Sequence, residues 1–293
     1  MKLKSIDNQE IDLKKINIIC NTTGKNSEKI ADMLIKLLEQ NGHNYNRQDI
    51  HPDTKIEFDK TASFAITIGG DGTLLSTARF YSEYEVPVLG LNFGHLGFLA
   101  QISQNKLKQG LDDIINGNFI IQKRLMIEGE TSISKNKFSA LNDIVIKGGS
   151  LSRTARLYLS INGQDVCDYL ADGIIISTPT GSTAYNLSAN GPIISPTIDA
   201  ITITPICPHT LSIRPLVIQA DEKIEIKTGK TAEILNVTAD GQESIQLEKT
   251  EKVKIQKSSK CANLVLIKST DNNFYSVLRK KLNWGINSLK NNL

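Results

Sequence analysis

The chain has 293 residues, 40% of them hydrophobic and 22% charged, and its 34 Lys and Arg against 31 Asp and Glu leave a net charge of +3. That composition excludes disorder and collagen-like structure, and at ~100–200 residues per domain the length predicts two domains. The small basic excess argues against nucleic-acid binding, since the one tight cluster, Arg279-Lys280-Lys281, reads as a solvated helix face. Apolar runs such as Ile174-Ile175-Ile176 fall far short of the ~18 residues of a membrane helix. The start, Met1-Lys2-Leu3-Lys4-Ser5-Ile6-Asp7, lacks the apolar centre of a signal peptide. A cytoplasmic protein without membrane attachment is expected. Cys20, Cys167, Cys207 and Cys261 form no C-x-x-C pair, so single buried thiols are expected and no protein metal ligand is read.

In chain order, Ile16 to Cys20 reads as a buried strand. Ile30, Met33, Leu34, Leu37 and Leu38 then form one helical stripe, with Asn26 or Ser27 at its start and Gly42 at its end. Phe64 to Ile68 is the next strand and Thr73 to about Tyr84 the next helix, with Leu74, Ala78 and Tyr81 on one face. Val86 to Asn92 reads as a strand and Leu107 to Ile115 as a helix. Strand alternating with helix predicts a parallel sheet.

From residue 119 to about 270 most segments read as strands. Apolar residues alternate in Lys223–Lys227 and Lys252–Ile255, as in strands with one wet face. Asn162-Gly163 and Asp240-Gly241 read as turns, and a helix near Thr183 to Ala189 interrupts the series. Phe274 to Leu282 is helical again. The expected architecture is an α/β domain with a Rossmann-like parallel sheet over 1–118 and a β-rich, β-sandwich-like domain over 119–272. The tail helix in 273–293 is expected to pack back on the first domain.

Two motifs carry chemistry. The first is Gly69-Gly70-Asp71-Gly72-Thr73, between a strand and a helix. Glycines let backbone approach an anion and adopt φ > 0, and the helix start offers N–H groups and a positive dipole end. Asp71 stands out because a carboxylate repels phosphate; it is useful there if it orients a substrate hydroxyl and accepts its proton. The alternative is a tight turn with Asp71 capping the helix. A dinucleotide fingerprint fails for want of the third glycine, and a Walker A loop fails because position 224 is Ile. The second motif runs from Asp172 to Tyr185, a buried strand entering a loop crowded with hydroxyls. Small hydroxyl residues can hydrogen-bond a polar ligand and Tyr185 can pack on a flat ring; otherwise Ser182 caps a helix. Asn142-Asp143 reads as an Asx turn, Gly94 to Leu99 as a domain crossover, and Asp240-Gly241-Gln242 as a hairpin turn.

Together with Gly90 to Leu99, Leu141-Asn142-Asp143 and Pro208 to Leu216, these motifs resemble the NAD kinase family in order and spacing over about residues 15–285. The resemblance implies transfer of the γ-phosphoryl group of ATP to the 2′-hydroxyl of the adenosine ribose of NAD, giving NADP and ADP. It implies that Asp71 is the proton acceptor, that Gly72 lies beside it at the NAD, and that Gly69, Gly70, Gly72 and Thr73 form the ATP phosphate turn. Asn142 and Asp143 resemble the pair that holds NAD, and Asp172, Thr183, Ala184, Tyr185, Asn186, Leu187 and Ser188 the rest of that pocket. Arg153 and Gln242 align less securely with further contacts. Leu170 departs from relatives that carry a basic residue there. Mg²⁺ or another divalent metal is implied with ATP, as is a homodimer or homotetramer. Gly-Gly-Asp-Gly-Thr is shared with lipid kinases, but a lipid substrate leaves the second motif without a use. A dinucleotide sensor that merely grips phosphate leaves Asp71 unexplained.

Overall fold

The computed structural model describes residues 2–4, 10–24, 26–51, 58–92, 97–99, 102, 106–149, 154–229, 235–268 and 273–284. The chain divides into two compact units, one of residues 1–123 with 262–293, the other of residues 124–261. Sequence periodicity put these divisions at 118 and 272. The passages between units instead lie inside two strands, β7 (Phe119–Thr131) and β18 (Lys252–Ile267), whose apolar pattern gives no sign of a boundary.

In the first unit β1 (Lys2–Lys4) and β2 (Glu10–Asp12) form an antiparallel pair. The main sheet is built from β3 (Ile16–Asn21), β4 (Tyr45–Ile50), β5 (Phe64–Ile68) and β6 (Val88–Leu91). The order is β6-β5-β3-β4, all parallel, and the end of β18 adds itself beside β6 through Leu264 and Val88. All five residues of β5 and all four of β6 are buried, as parallel strands covered by helices require. β4 was not foreseen. Its sequence, Tyr-Asn-Arg-Gln-Asp-Ile, is polar because it is an edge strand with no fully buried residue.

The helices α1 (Ser27–Gln40), α2 (Asp71–Ser82), α3 (Leu107–Ile115) and α5 (Phe274–Leu282) belong to this unit, and α4 (Tyr185–Ser188) to the other. α1 buries Ile30, Ala31, Leu34 and Leu38, while Met33, expected in the stripe, is 39% exposed. Asn26 sits at the start of α1 in the left-handed region, φ 76°, without a side-chain cap. In α5 the side chain of Asn273 accepts the Ser276 N–H at 2.9 Å, an N-cap, and Val277 and Leu278 are buried.

The second unit packs antiparallel strands around one core. One sheet has the order β14-β13-β12-β9-β16-β17, made of β9 (Asp143–Gly148), β12 (Gly173–Ser177), β13 (Ala200–Ile206), β14 (Leu216–Gln219), β16 (Leu235–Ala239) and β17 (Glu243–Gln246). The other layer is β10 (Ala155–Ile161), β11 (Gln164–Ala171), β15 (Ile224–Thr228), the start of β18, and the hairpin of β7 with β8 (Lys137–Ala140). Ile144, Ile174 and Val237 of the first sheet share a core with Leu157, Ile226 and Val253 of the second layer. Asn162 and Gly163 turn β10 into β11 with φ of 52° and 80°, both left-handed. Of the four thiols only Cys20 is buried; Cys167 and Cys261 are half-buried and Cys207 is exposed, against the expectation of buried thiols. Cys207 sits just after β13, where the chain has already turned outward.

One carboxylate ties this unit together. Glu251 is fully buried, and its Oε1 accepts from the Ile133 and Ser134 amides at 2.9 and 2.8 Å and from the Ser134 hydroxyl at 2.9 Å. Its Oε2 accepts from the Glu248 amide at 2.8 Å. Burial alone would raise the Glu251 carboxyl, but the bonds from Ser134, Glu248 and Ile133 together hold it below the ordinary range. Replacing Glu251 with Gln leaves at least one buried donor unmatched, and a loss of ~2 kcal/mol is expected in urea melts. Because the native pKa lies below the unfolded value of ~4.3, the wild-type stabilisation is complete above that pH and fades as pH falls through the native value. Glu251→Gln should lack this acid limb.

Candidate active site

In the first unit the site grows out of the end of β5. The chain leaves Ile68, passes Gly69 and Gly70, and enters α2 at Asp71. Asp71 is therefore in the first helical turn and Gly70 is the N-cap, so Asp71 does not cap the helix. None of Gly69, Gly70 and Gly72 has the positive φ anticipated for them; Gly70 lies at φ −82°. Their need for glycine is spatial. A Cβ on Gly69 would press on the Thr73 Oγ1 at 2.6 Å, whereas Gly70 and Gly72 face open space, leaving bare backbone at the positive end of α2. Thr73 is buried, and its Oγ1 accepts from Asn21 Nδ2 at 3.2 Å, which fixes it to the end of β3.

The Asp71 carboxylate is half-buried and held from outside its own helix. The Phe98 amide donates to Oδ2 at 2.9 Å, with a longer approach of the Leu99 amide to Oδ1 at 3.4 Å. Gly97 lies so close that any Cβ there would overlap the carboxylate. The segment after β6, read from sequence as a crossover, thus contains the seat of the candidate base. Gly97 has no positive φ, so its glycine answers to this lack of space, which only the structure shows. Phe98 is covered by Lys281 of α5, whose Nζ lies 4.8 Å from the ring centroid. Residues 93–96 lie outside the described residues.

In the second unit the site is organised by β9. Asp143 pairs with Ser177 at the end of β12, so the corner at Asn142 meets the loop that follows β12. The Thr178 amide donates to the Asn142 carbonyl at 2.9 Å and the Thr178 hydroxyl to the Leu141 carbonyl at 2.6 Å. Gly181 lies on the Asn142 backbone with no room for a Cβ. The loop then makes a 3-10 turn, Gly181–Thr183, and the short α4 (Tyr185–Ser188).

Three hydroxyls of this loop bond backbone carbonyls, where the sequence suggested contact with a ligand. Ser177, Thr178 and Ser182 are fully buried. Ser182 donates to the Pro179 carbonyl at 2.7 Å and accepts the Ile194 amide at 3.0 Å, and it caps no helix. Asn186 is buried too: its Nδ2 donates to the Ser182 and Pro192 carbonyls at 3.1 and 3.0 Å, and its Oδ1 accepts the Thr204 hydroxyl at 2.6 Å. These side chains hold the loop from within. Thr183, Ala184 and Leu187 are half-buried, and Tyr185 (38% exposed) and Ser188 are exposed. Burial, then Cys207, Asp143 and Asp172, raises the Tyr185 phenol, so these groups stand within electrostatic reach of it. The half-buried Asp172 follows β11, its amide bonded to the Ile206 carbonyl at 2.9 Å. Gln242 is exposed on the β16–β17 turn, and Arg153 lies outside the described residues.

Two further groups escaped the sequence reading. Asp240 accepts the amides of Leu141, Asn142 and Asp143 at 3.0, 2.7 and 3.2 Å. Beside it Asp143 is buried, and burial followed by the Asp240 charge pushes its carboxyl up to about 7. Arg124, only 6% exposed, reaches the Thr180 hydroxyl at 3.4 Å, and its Nε has no partner. Burial lowers it to about 10. No three His, Cys, Asp or Glu side chains converge as a metal group among the described residues, and none of their helices is long and apolar enough to cross a membrane.

The ATP-NAD kinase N-terminal domain model matches residues 14–119 and the ATP-NAD kinase C-terminal domain model residues 141–267. The NAD kinase of Thermoanaerobacter sp. strain X514 is 38% identical over 284 residues, spanning 92% of this chain and 99% of that protein. The NAD kinase of Geobacter sulfurreducens is 37% identical over 289 residues, spanning 93% and 99%. Among solved structures, yeast NADH kinase complexed with NADH superposes with a TM-score of 0.81 at 24% identity, over 94% of this chain and 89% of that one. An NAD kinase from Archaeoglobus fulgidus in complex with ATP gives 0.71 at 24% identity, over 90% and 98%. Both have this fold. With both domain models matched in order and relatives this similar along nearly its whole length, the chain belongs to the ATP-NAD kinase family.

Proposed function

We propose that this chain transfers the γ-phosphoryl group of ATP to the 2′-hydroxyl of the adenosine ribose of NAD, releasing NADP and ADP. The observation that carries the reading is Asp71: a carboxylate in the first turn of α2, held by the Phe98 amide, where a site meant only to grip phosphate would exclude negative charge. In the reaction the 2′-oxygen bonds to the γ-phosphorus, the bond from that phosphorus to the bridging oxygen of ADP breaks, and the hydroxyl proton passes to Asp71. The Phe98 and Leu99 amides direct the carboxylate while leaving lone pairs for the hydroxyl. The open backbone of Gly70 and Gly72, with Gly69 and Thr73 shaping the turn, receives the ATP phosphates. Mg²⁺ or another divalent metal comes with ATP and neutralises its charge.

Asn142, Asp143, Asp172, Thr183, Ala184, Tyr185, Leu187 and Ser188 form the NAD-binding set in this reading, with Gln242 and Arg153 as outer contacts. Asn186 contributes by fixing the backbone of the set, since its side chain is bonded internally. A homodimer or homotetramer in the cytoplasm completes the proposal. Its direct test supplies purified protein with ATP, Mg²⁺ and NAD and reads NADP with an NADP-specific dehydrogenase. Binding of NAD without transfer from any donor would overturn it, as would phosphorylation of diacylglycerol in place of NAD.

Three substitutions divide the roles. Asp71→Asn keeps size and the Phe98 bond but removes the base, so turnover should fall ~10²–10⁴-fold with NAD affinity nearly unchanged. Near wild-type turnover would remove Asp71 from the chemistry. Gly97→Ala should displace the same carboxylate through its Cβ, lowering kcat ~10-fold or more while the melting temperature moves little; an unchanged kcat would mean the contact is irrelevant to the reaction. Asn142→Ala should raise KM for NAD about tenfold, at ~1.4 kcal/mol per decade, and leave KM for ATP in place.

A further inference from the structure

Asp240 lies on the turn between β16 and β17, at φ 53° and followed by Gly241 at φ 67°. Turn chemistry accounts for an Asp-Gly pair without any other role, yet the side chain does more than turn the chain. Its Oδ1 accepts the Asn142 amide at 2.7 Å and the Asp143 amide at 3.2 Å, and its Oδ2 accepts the Leu141 amide at 3.0 Å. The Asp240 amide returns a bond to the Asp143 carbonyl at 2.9 Å. Three consecutive backbone donors are thereby aimed at one carboxylate, and the corner that carries Asn142 and Asp143 is fixed from behind. Any one neutral acceptor would satisfy fewer of these donors.

The arrangement also sets two carboxylates side by side inside the unit. Among the described residues, the titratable groups facing Asp143 are Asp240 from the β16–β17 turn and Tyr185 from α4. Neither brings a positive charge. An asparagine or a glycine would make the turn without this repulsion but would not hold all three amides.

We propose that Asp240 is a positioning residue for the dinucleotide: by holding the amides of Leu141, Asn142 and Asp143 it sets the direction in which the Asn142 and Asp143 side chains meet the ligand. Its negative charge has a second consequence. It adds to the burial that is the main cause of the rise of the Asp143 carboxyl to about 7, so that below that pH Asp143 donates a hydrogen bond to a ligand oxygen instead of only accepting one. This inference rests on the NAD reading of Asn142 and Asp143.

The test compares Asp240→Asn, Asp240→Glu and Asn142→Ala in the full-length enzyme, with KM for NAD and for ATP followed from pH 5.5 to 8.5. Asp240→Asn should raise KM for NAD about tenfold and leave KM for ATP within about twofold. It should also move the pH inflection in KM for NAD to lower pH, because the neighbouring charge is gone. Asp240→Glu keeps the charge but displaces the amides, so it should raise KM for NAD with the inflection in place. A lower melting temperature with KM and pH profile unchanged would make Asp240 merely structural and overturn the inference. Equal rises in both Michaelis constants would overturn it as well. Should Asp240→Asn fail to fold, Asp240→Glu decides alone: an unchanged KM for NAD overturns the inference. If Asn142→Ala leaves KM for NAD unchanged, the NAD reading itself fails; if Asn142→Ala raises it and both Asp240 variants do not, only the positioning role fails.

Discussion

The second unit depends on the place of β9 between β12 and β16. Because β9 pairs with both, the corner before it is flanked by the Thr178–Tyr185 loop on one side and the Asp240 turn on the other. Pairing fixes the ends of all three strands against one another: Asp143 opposes Ser177, and Ile144 opposes Ala239. A slip of one residue would turn Ile144 and Ile146 out of the core and carry Asp143 to the opposite face. The hydrophobic requirement of the core and the presentation of polar groups at the sheet end are therefore one constraint. Glycines permit close packing at both ends of β9, with Gly181 closed against the Asn142 backbone at one end and Gly173 against Ile146 and Lys147 at the other.

Much of the fold could be read from the chain because its pattern is local. α3 and α5 have the bounds that periodicity gives, and β5 is the apolar run that ends at the glycines. The failures are of a different kind. β4 hides because an edge strand has no apolar face to advertise. The predicted helix at Thr183 shrinks to a 3-10 turn and a single turn of α4, since the chain is held there by the Ile194 amide on Ser182 and by the bond of Asn186 to the Pro192 carbonyl.

The site was legible as residue types and only partly as roles. Asp71 could be singled out because a carboxylate among glycines is chemically odd. What holds it, the Phe98 amide and the space at Gly97, is backbone and absence, which a sequence does not display. Loop hydroxyls were misread for the converse reason: a serine looks the same whether it faces a ligand or, like Ser182, bonds a carbonyl inside the loop. Asp240 was concealed by a sufficient local explanation, its turn. Arg124 gave no pattern at all, since the hydroxyl it meets, on Thr180, is remote in sequence.

The late arrival of β18 matters during synthesis. The partner of Val88 on the outer side of β6 is Leu264, far downstream of β6 itself. A nascent first unit that has already assembled β3, β4, β5 and β6 closes the far end of that side early, through the bridge of Leu91 to Ile102, but its Val88 end waits for Leu264 until the second unit has left the ribosome. At ~5–20 residues per second that interval lasts roughly ten seconds or more, long enough for edge-to-edge association between neighbouring nascent chains. Chains truncated within the second unit would keep the Val88 end of β6 without its Leu264 partner, whatever the stability of the finished protein.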